Sequence, residues 1–479
     1  MSEMKDNDVF VDSPVDGAQQ RLEQLGYKQV LDRRLSVFGN VVMGLSNVAP
    51  VMAAFLYGLA AFSVAGTGAI GAAWMQGINV CLIGLILAEA GSIYPVSGGL
   101  YSLVKYMLPR PLAFVAVFTF MIQAFIYPPA ISMGLGLYLQ ELFPALPQTE
   151  MATSVIAAIA LILSLFIGLN NIVTSNRVAK FFLALQMIVI FVFLYICFAN
   201  PVRPLSEVMF DPVMLGADGL SLAPVSFMGV LLGLGIMCAA IDGYPASLGF
   251  SEETRGSCRN VGKAVLITAL CTVFLVVICM TMGAIAAPDL VAFLGSSSPY
   301  LYIAQSYMGQ MGADLINIGI IIASFSCQTV VITYMSRVIF TGARDRIWPE
   351  PVNRFLGQVS KRQTPWACTV VVGLVCSLMV FSNTMVDLVT YGGMSAAIVY
   401  MLVAIGSINS RRKEPKLTRP FRMPFFPLPP ILVTLFLIVA IGSQETGNQI
   451  VVGSFVTFAL LYYFLYIRPR DKKEGNTNG

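Results

Sequence analysis

Long apolar runs alternate with short polar and basic segments along the whole chain. The runs lie at about 36–65, 68–88, 111–140, 152–169, 179–199, 223–249, 262–286, 314–342, 366–383, 386–408, 427–443 and 449–467. A helix of roughly 20 residues crosses a hydrocarbon layer about 30 Å thick. Within that layer only a helix or a closed barrel satisfies every backbone N–H and C=O. The pattern therefore predicts an all-α integral membrane protein with twelve transmembrane helices. The fourth and eleventh runs are short, and the third and eighth are long enough to tilt or to run past the membrane.

Two of the runs are interrupted by polar residues, Gly and a closing Pro at similar depth. The first carries Gly44-Leu45-Ser46-Asn47-Val48-Ala49-Pro50, and the sixth carries Ala239-Ala240-Ile241-Asp242-Gly243-Tyr244-Pro245. An aspartate at bilayer depth costs roughly 2.5–3.5 kcal/mol on insertion scales, so Asp242 requires a partner or a watery cavity. Paired interrupted segments five spans apart point to an inverted-repeat transporter with a site at the membrane midplane. The plainer alternative is a proline kink with Asp242 bonded to a neighbouring helix, since glycine and proline are common in membrane helices.

Composition agrees with the pattern. Of the 479 residues 57% are hydrophobic and 11% charged, with mean hydropathy +0.78, against about 25% charged in a soluble domain. The net charge of +4 gives no reason to expect a nucleic-acid partner, because the basic residues sit in short connections. With the N-terminus inside, the 29 Lys and Arg residues all fall on the cytosolic side except Arg203, which supports the span count and cytoplasmic termini. The implied organisation is a cytosolic tail over 1–34, a transport core over 35–409, a cytosolic loop over 410–426, two further helices over 427–467 and a cytosolic tail over 468–479. The polar first 34 residues show no cleavable signal. Histidine is absent and the nine cysteines form no CxxC pair, so histidine catalysis, a histidine proton relay and a Cys/His metal site are excluded. No nucleophile–base pair can be assembled, and neither an enzyme nor a cofactor is expected.

Four stretches carry a resemblance to amino acid–polyamine–organocation (APC) transporters. Glu89-Ala90-Gly91-Ser92-Ile93-Tyr94-Pro95-Val96-Ser97-Gly98-Gly99 resembles the loop after their second helix. Ser251-Glu252-Glu253-Thr254 with Arg259 and Lys263 resembles the loop after the sixth. Ser336-Arg337, Ala343-Arg344-Asp345, Pro349 and Thr364-Pro365 are similar to the connection between the eighth and ninth, and Arg411-Arg412-Lys413 with Arg419-Pro420-Phe421-Arg422 to the loop after the tenth. The resemblance spans about 30–430; Val42-Met43-Gly44-Leu45 with Pro50 looks most like the bacterial polyamine-permease branch.

The resemblance implies a LeuT-type fold: a 5+5 inverted repeat, about 36–199 and 223–409, with the first and sixth helices broken. It also implies a multi-pass cell-membrane protein moving an amino acid or polyamine by alternating access, through a substrate site between the two breaks. An amino acid carboxylate would accept N–H groups at a Gly44–Asn47 break, and its amine would meet carbonyls around Met237–Ala240. Gly44, Ser46, Asn47, Cys238, Ala239 and Asp242 are the expected lining. Asp242 has three open roles: substrate amine partner, proton carrier or structural bond. Tyr127, before Pro128-Pro129, and Gln123, one turn away, either face substrate or belong to a packing kink.

The chain departs from the family pattern where Ala239 replaces an aromatic cap, where Pro245 replaces an acid, and where Gln186 replaces the lysine of some proton-coupled relatives. Tyr244 or Tyr127 could take over the gating ring. Ser324 and Ser326 polarise the eighth helix where some relatives hold sodium, although serines also bond back to their own helix. Glu89, Glu252, Glu253, Arg337, Arg344 and Asp345 are either solvated loop charges or a cytoplasmic gate of salt bridges. The expected function is proton-coupled transport, with sodium coupling less favoured. Obligate exchange is the alternative within transport, and a non-transporting nutrient sensor is the alternative from another class.

Overall fold

The computed structural model describes residues 35–94, 99–169, 176–251, 254–255, 258–360 and 364–473. Among these, ten helices are long and apolar enough to cross a membrane, and two more apolar helices, Trp366–Met379 and Leu428–Gly442, are shorter. The elements in order begin with α1 (Val37–Val48), α2 (Pro50–Ala65), α3 (Gly68–Ile93), α4 (Gly99–Met107), α5 (Arg110–Leu142), α6 (Glu150–Leu169) and α7 (Asn176–Ala199). After a short α8 (Leu205–Phe210) and a hairpin come α9 (Phe227–Ala240), a 3₁₀ segment Tyr244–Phe250, α10 (Cys258–Ala286) and α11 (Leu290–Gly295). Then follow α12 (Pro299–Arg344), α13 (Glu350–Leu356), α14 (Trp366–Met379), α15 (Met385–Lys413), α16 (Leu428–Gly442), α17 (Thr446–Tyr462) and α18 (Arg468–Lys473).

The lengths differ from the expected runs in two places. The fourth span, α6, is a full 20 residues; the short ones are α14, with 14, and α16, with 15. The chain leaves α14 at Val380 and re-enters a helix at Thr384, whose hydroxyl accepts the Asp387 N–H while the Asp387 carboxylate accepts the Thr384 N–H. That reciprocal cap fixes where α15 begins. The eighth span runs on as α12 from Pro299, and Gly309, at φ 70°, turns the chain within it.

Both interrupted spans break within their apolar runs. Ala49 lies in the left-handed region (φ 47°) between α1 and α2, and the following Pro50 disfavours a right-handed helical conformation in the residue before it. The interruption is therefore at Ala49 and not over Gly44–Asn47, which form the last turns of α1. Gly44 serves packing instead: a Cβ there would come within 2.8 Å of the Thr268 methyl on α10. In the sixth span α9 stops at Ala240, and Gly243 takes φ 88°, a conformation open mainly to glycine, before the 3₁₀ segment.

Helix α5 passes without a break through Pro128 and Pro129. Two prolines free the carbonyls of Ala124 and Phe125. The buried Cys376 thiol of α14 lies 3.5 Å from the first and 3.8 Å from the second, and donates its one hydrogen to either of them. Cys376→Ala is expected to lower stability by about 1 kcal/mol and Cys376→Ser to restore it, read as a shift in the thermal midpoint of the purified protein.

The core is a large apolar cluster threading the central helices, with a smaller one of Val41, Val42, Leu45, Leu183 and Ala264 where α1 meets α7 and α10. Helix α3 packs along α10, α5 along α12 and α15, α6 along α14, and α9 against α2, α3 and α15. On the face opposite the basic connections, β1 (Val213–Leu215) pairs antiparallel with β2 (Leu222–Pro224). The Thr67 N–H donates to the Val213 carbonyl at 2.8 Å and the Val213 N–H to the Thr67 hydroxyl at 2.8 Å, fixing the hairpin to the α2–α3 turn. In its exposed turn Asp218 Oδ1 accepts from the Leu220 N–H, the Ser221 N–H and the Ser221 hydroxyl. The Ser221 hydroxyl bond, first among these, holds the Asp218 carboxyl below its ordinary value.

Candidate functional site

The two interruptions meet. Asn47, in the last turn of α1, donates from Nδ2 to the Gly243 carbonyl at 3.1 Å, and the Cys327 thiol of α12 lies 3.8 Å from the Asn47 carbonyl. Beside this junction is a cavity of about 50 Å3, room for a few water-sized groups. Its walls are Asn47, Val48, Met52 and Tyr57 from the first span, Phe120, Gln123, Tyr127 and Ile131 from α5, and Ala239, Asp242, Gly243, Pro245 and Ala246 around the sixth-span interruption. Leu100 of α4 and Val331, Tyr334 and Met335 of α12 close the remainder.

Among the described residues Asp242 is the only acidic side chain on this otherwise largely apolar wall. The Tyr127 hydroxyl donates to its Oδ2 at 2.8 Å, and the Tyr400 hydroxyl of α15 donates to its Oδ1. A carboxylate has about four lone-pair positions, so two phenols leave acceptor capacity for a ligand. The first turn of α2 supplies the complementary chemistry. Pro50 has no N–H, and the Val51 and Met52 N–H groups precede the first intrahelical bond, Ala53 N–H to the Ala49 carbonyl at 3.0 Å. A helix N-terminus of this kind attracts an anionic group.

Of the residues singled out in the sequence, Asn47, Gln123, Tyr127, Ala239 and Asp242 lie on the cavity wall. Gly44 and Ser46 do not: Gly44 abuts α10, and the Ser46 hydroxyl donates to the Val42 carbonyl one turn back at 2.8 Å. Cys238 is buried behind the wall. Tyr244 is not a gating ring over the cavity; it is fully buried, with its ring stacked 6.0 Å from that of Tyr400. Gln186 is buried on α7, beside Leu183 and Met187, which pack on α1, and its Oε1 has no donor among the described residues. Ser324 and Ser326 are buried on α12 away from the cavity wall, and the Ser324 hydroxyl has no hydrogen-bond partner among the described residues.

The residues missed from sequence were aliphatic, such as Met52, Ile131, Val331 and Met335, and aromatic. Tyr57, Phe120 and Tyr334 on the wall, and Tyr400 behind it, sit in apolar runs where a ring is indistinguishable from packing. The only signal was that a phenol inside lipid needs an acceptor.

The charged residues at the end of α3 pair differently from the expected salt-bridge gate. Glu89 is buried at the end of α3 and pairs with Arg411 of α15 and, at 3.6 Å, with Arg419 of the following loop. It also accepts the Met423 N–H at 2.7 Å, and the Arg411 guanidinium lies 4.0 Å over the Phe426 ring. Burial pushes the Arg419 guanidinium below its ordinary value, an effect the neighbouring Glu89 opposes. Arg337 is exposed on α12 and is not the partner of Glu89. Asp345 pairs with Lys105 at 3.4 Å, whereas Glu252 and Glu253 lie outside the described residues.

Ten apolar spans packed around a central cavity at two helix interruptions define a polytopic membrane protein of the solute-transporter class. The chain belongs to the amino acid permease family: a family model of that description matches residues 35–466. It is 25% identical over 474 residues to the branched-chain amino acid permease BcaP of Bacillus subtilis, covering 92% of this chain and 94% of the relative. It is also 25% identical over 459 residues to the methylthioribose transporter of the same organism, covering 92% and 95%. Large neutral amino acids transporter small subunit 2 of Mus musculus is 26% identical over 392 residues, covering 78% of this chain and 70% of the relative.

Proposed function

We propose that the protein is a secondary-active transporter that carries an amino acid with an apolar side chain across the cell membrane by alternating access. The observation that carries this reading is Asp242, set at the interruption of the sixth span and facing a largely apolar cavity. Met52, in the first turn of α2, lies on the same wall. An α-ammonium would pair with Asp242, and the α-carboxylate would accept from Val51 and Met52 in place of the Gly44–Asn47 turns, whose N–H groups are taken up in α1. Met52, Phe120, Ile131, Val331 and Met335 would take an apolar side chain.

A LeuT-type architecture of twelve helices is the frame we assign, with α14 and α16 as the ninth and eleventh spans and both termini cytoplasmic. Its support is the pairing of helices five spans apart: α2 with α9, α3 with α10, α5 with α12 and α6 with α14. Names of the relatives favour amino acids over polyamines, and so does the wall, since a polyamine needs several spaced anions and the described residues of this wall offer one. Proton-coupled uptake is our reading of the energy source, with exchange as the alternative.

The test is counterflow of an external labelled branched-chain amino acid into proteoliposomes loaded with the unlabelled one. Uptake competed by apolar amino acids, and not by putrescine or spermidine, is the expected result. Competition by the polyamines alone would reject the proposed substrate, and no counterflow with any amino acid from folded protein would reject the transport reading.

A further inference from the structure

Tyr127 has one hydrogen and two acceptors within reach on different helices. Its hydroxyl lies 2.8 Å from Asp242 Oδ2 and 3.2 Å from the Gly392 carbonyl oxygen of α15. A phenol donates only one hydrogen bond at a time, so these two contacts are alternatives. Gly392 is what permits the second, since a Cβ there would stand 2.6 Å from Tyr127 Cε1 and displace the ring from the α15 backbone.

The two settings of that hydrogen hold different parts of the molecule together. Donated to Asp242, it ties α5 to the sixth-span interruption; donated to Gly392, it ties α5 to α15 and leaves the interruption. Asp242 does not lose all its donors in the second setting, because Tyr400 still serves its Oδ1. An ammonium ion is a stronger donor to a carboxylate than a neutral phenol is. With an ammonium at Oδ2, turning the Tyr127 hydroxyl to the Gly392 carbonyl keeps the number of hydrogen bonds unchanged.

We propose that Tyr127 is a positioning residue that couples occupancy to movement: in the empty carrier it binds the sixth-span interruption to α5, and the substrate ammonium displaces it onto Gly392 and releases the interruption from α5, leaving it held to α15 by Tyr400 alone. This rests on the proposed amino acid transport, with the α-ammonium at Asp242. The empty carrier is then the held state, and flux is fastest when substrate is present on both sides.

The experiment compares efflux of a labelled amino acid from proteoliposomes with and without unlabelled amino acid outside. Wild-type protein should release label about tenfold faster with amino acid outside, the scale of one hydrogen bond to a charged group. In Tyr127→Phe the ratio should fall toward one, through faster efflux into substrate-free buffer. A role for Tyr127 in stability or affinity alone would change both fluxes together and leave the ratio in place, and that result overturns the proposal. A second arm uses wild-type protein only, so it holds if the variant does not fold. The 2-hydroxy acid analogue of the same amino acid, at a concentration that blocks uptake, should fail to accelerate efflux because it brings no ammonium; acceleration equal to that of the amino acid overturns the proposal. Absence of any exchange in folded wild-type protein is a different failure, that of the transport reading, and takes the proposal with it.

Discussion

Asp242→Asn is expected to reduce amino acid exchange by about 10- to 100-fold, the cost of a charge-assisted hydrogen bond of roughly 1.5–3 kcal/mol. The asparagine keeps the size of the side chain and one acceptor oxygen, so either Tyr127 or Tyr400 retains a partner and the fold persists. It removes the negative charge and offers two N–H groups toward an incoming ammonium, which must also find an acceptor. The loss of affinity should be greatest for ligands bearing an α-ammonium and small for a 2-hydroxy acid analogue that binds the same cavity without being exchanged. Binding constants for the two ligand types, measured on the same preparation, check this directly. Equal losses for both would make Asp242 a structural bond between α5, α15 and the sixth span, consistent with its two phenol donors.

Glu89→Ala is expected to lower the stability of the protein by about 3–5 kcal/mol, the cost of breaking a buried ion pair and leaving its partner uncompensated. Glu89 is 5% exposed in its side chain, Arg411 13% and Arg419 7%, so neither cation can recover its hydration by a small movement. The same substitution also removes the acceptor of the Met423 N–H, which holds the loop after α15 beneath α3. Glu89→Gln retains an acceptor and the side-chain volume and should lose less. The midpoint of thermal unfolding in detergent, followed by size-exclusion profile, should fall by several degrees for the alanine and less for the glutamine. A shift no larger than that of an exposed control, Asp345→Ala at the Lys105 pair, would show that the cluster is hydrated and loosely held.

The helices and their order were legible in the sequence because lipid leaves the backbone few choices, and runs such as 262–286 or 179–199 are unmistakable by length alone. The sixth-span interruption was equally legible: Asp242, Gly243 and Pro245 together are unsuited to a continuous buried helix. The first-span interruption was displaced from the expected position because two physical uses of glycine look alike in a sequence. Gly44 relieves a close helix contact, while the backbone turns at Ala49, where proline stereochemistry acts on the preceding residue. The continuity of the helix through Pro128-Pro129 was not legible, since the freed carbonyls are served from Cys376, about 250 residues away in sequence and invisible to local pattern. For the same reason the partners of Glu89 could not be read. Arg411 and Arg419 had been accounted for by membrane orientation, and only the fold brings them under α3.

The hairpin between α8 and α9 has a practical consequence. Its turn, 216–221, closes on itself through the Asp218 carboxylate and the Gly216 N–H to the Ser221 carbonyl, 2.9 Å apart, and is exposed throughout most of its length. An epitope inserted after Gly219 would disturb none of the bonds that fix β1 to Thr67. Antibody against that epitope would separate vesicles by the face they turn outward, so that entry and exit through the same carrier could be timed as two distinct processes rather than as one average.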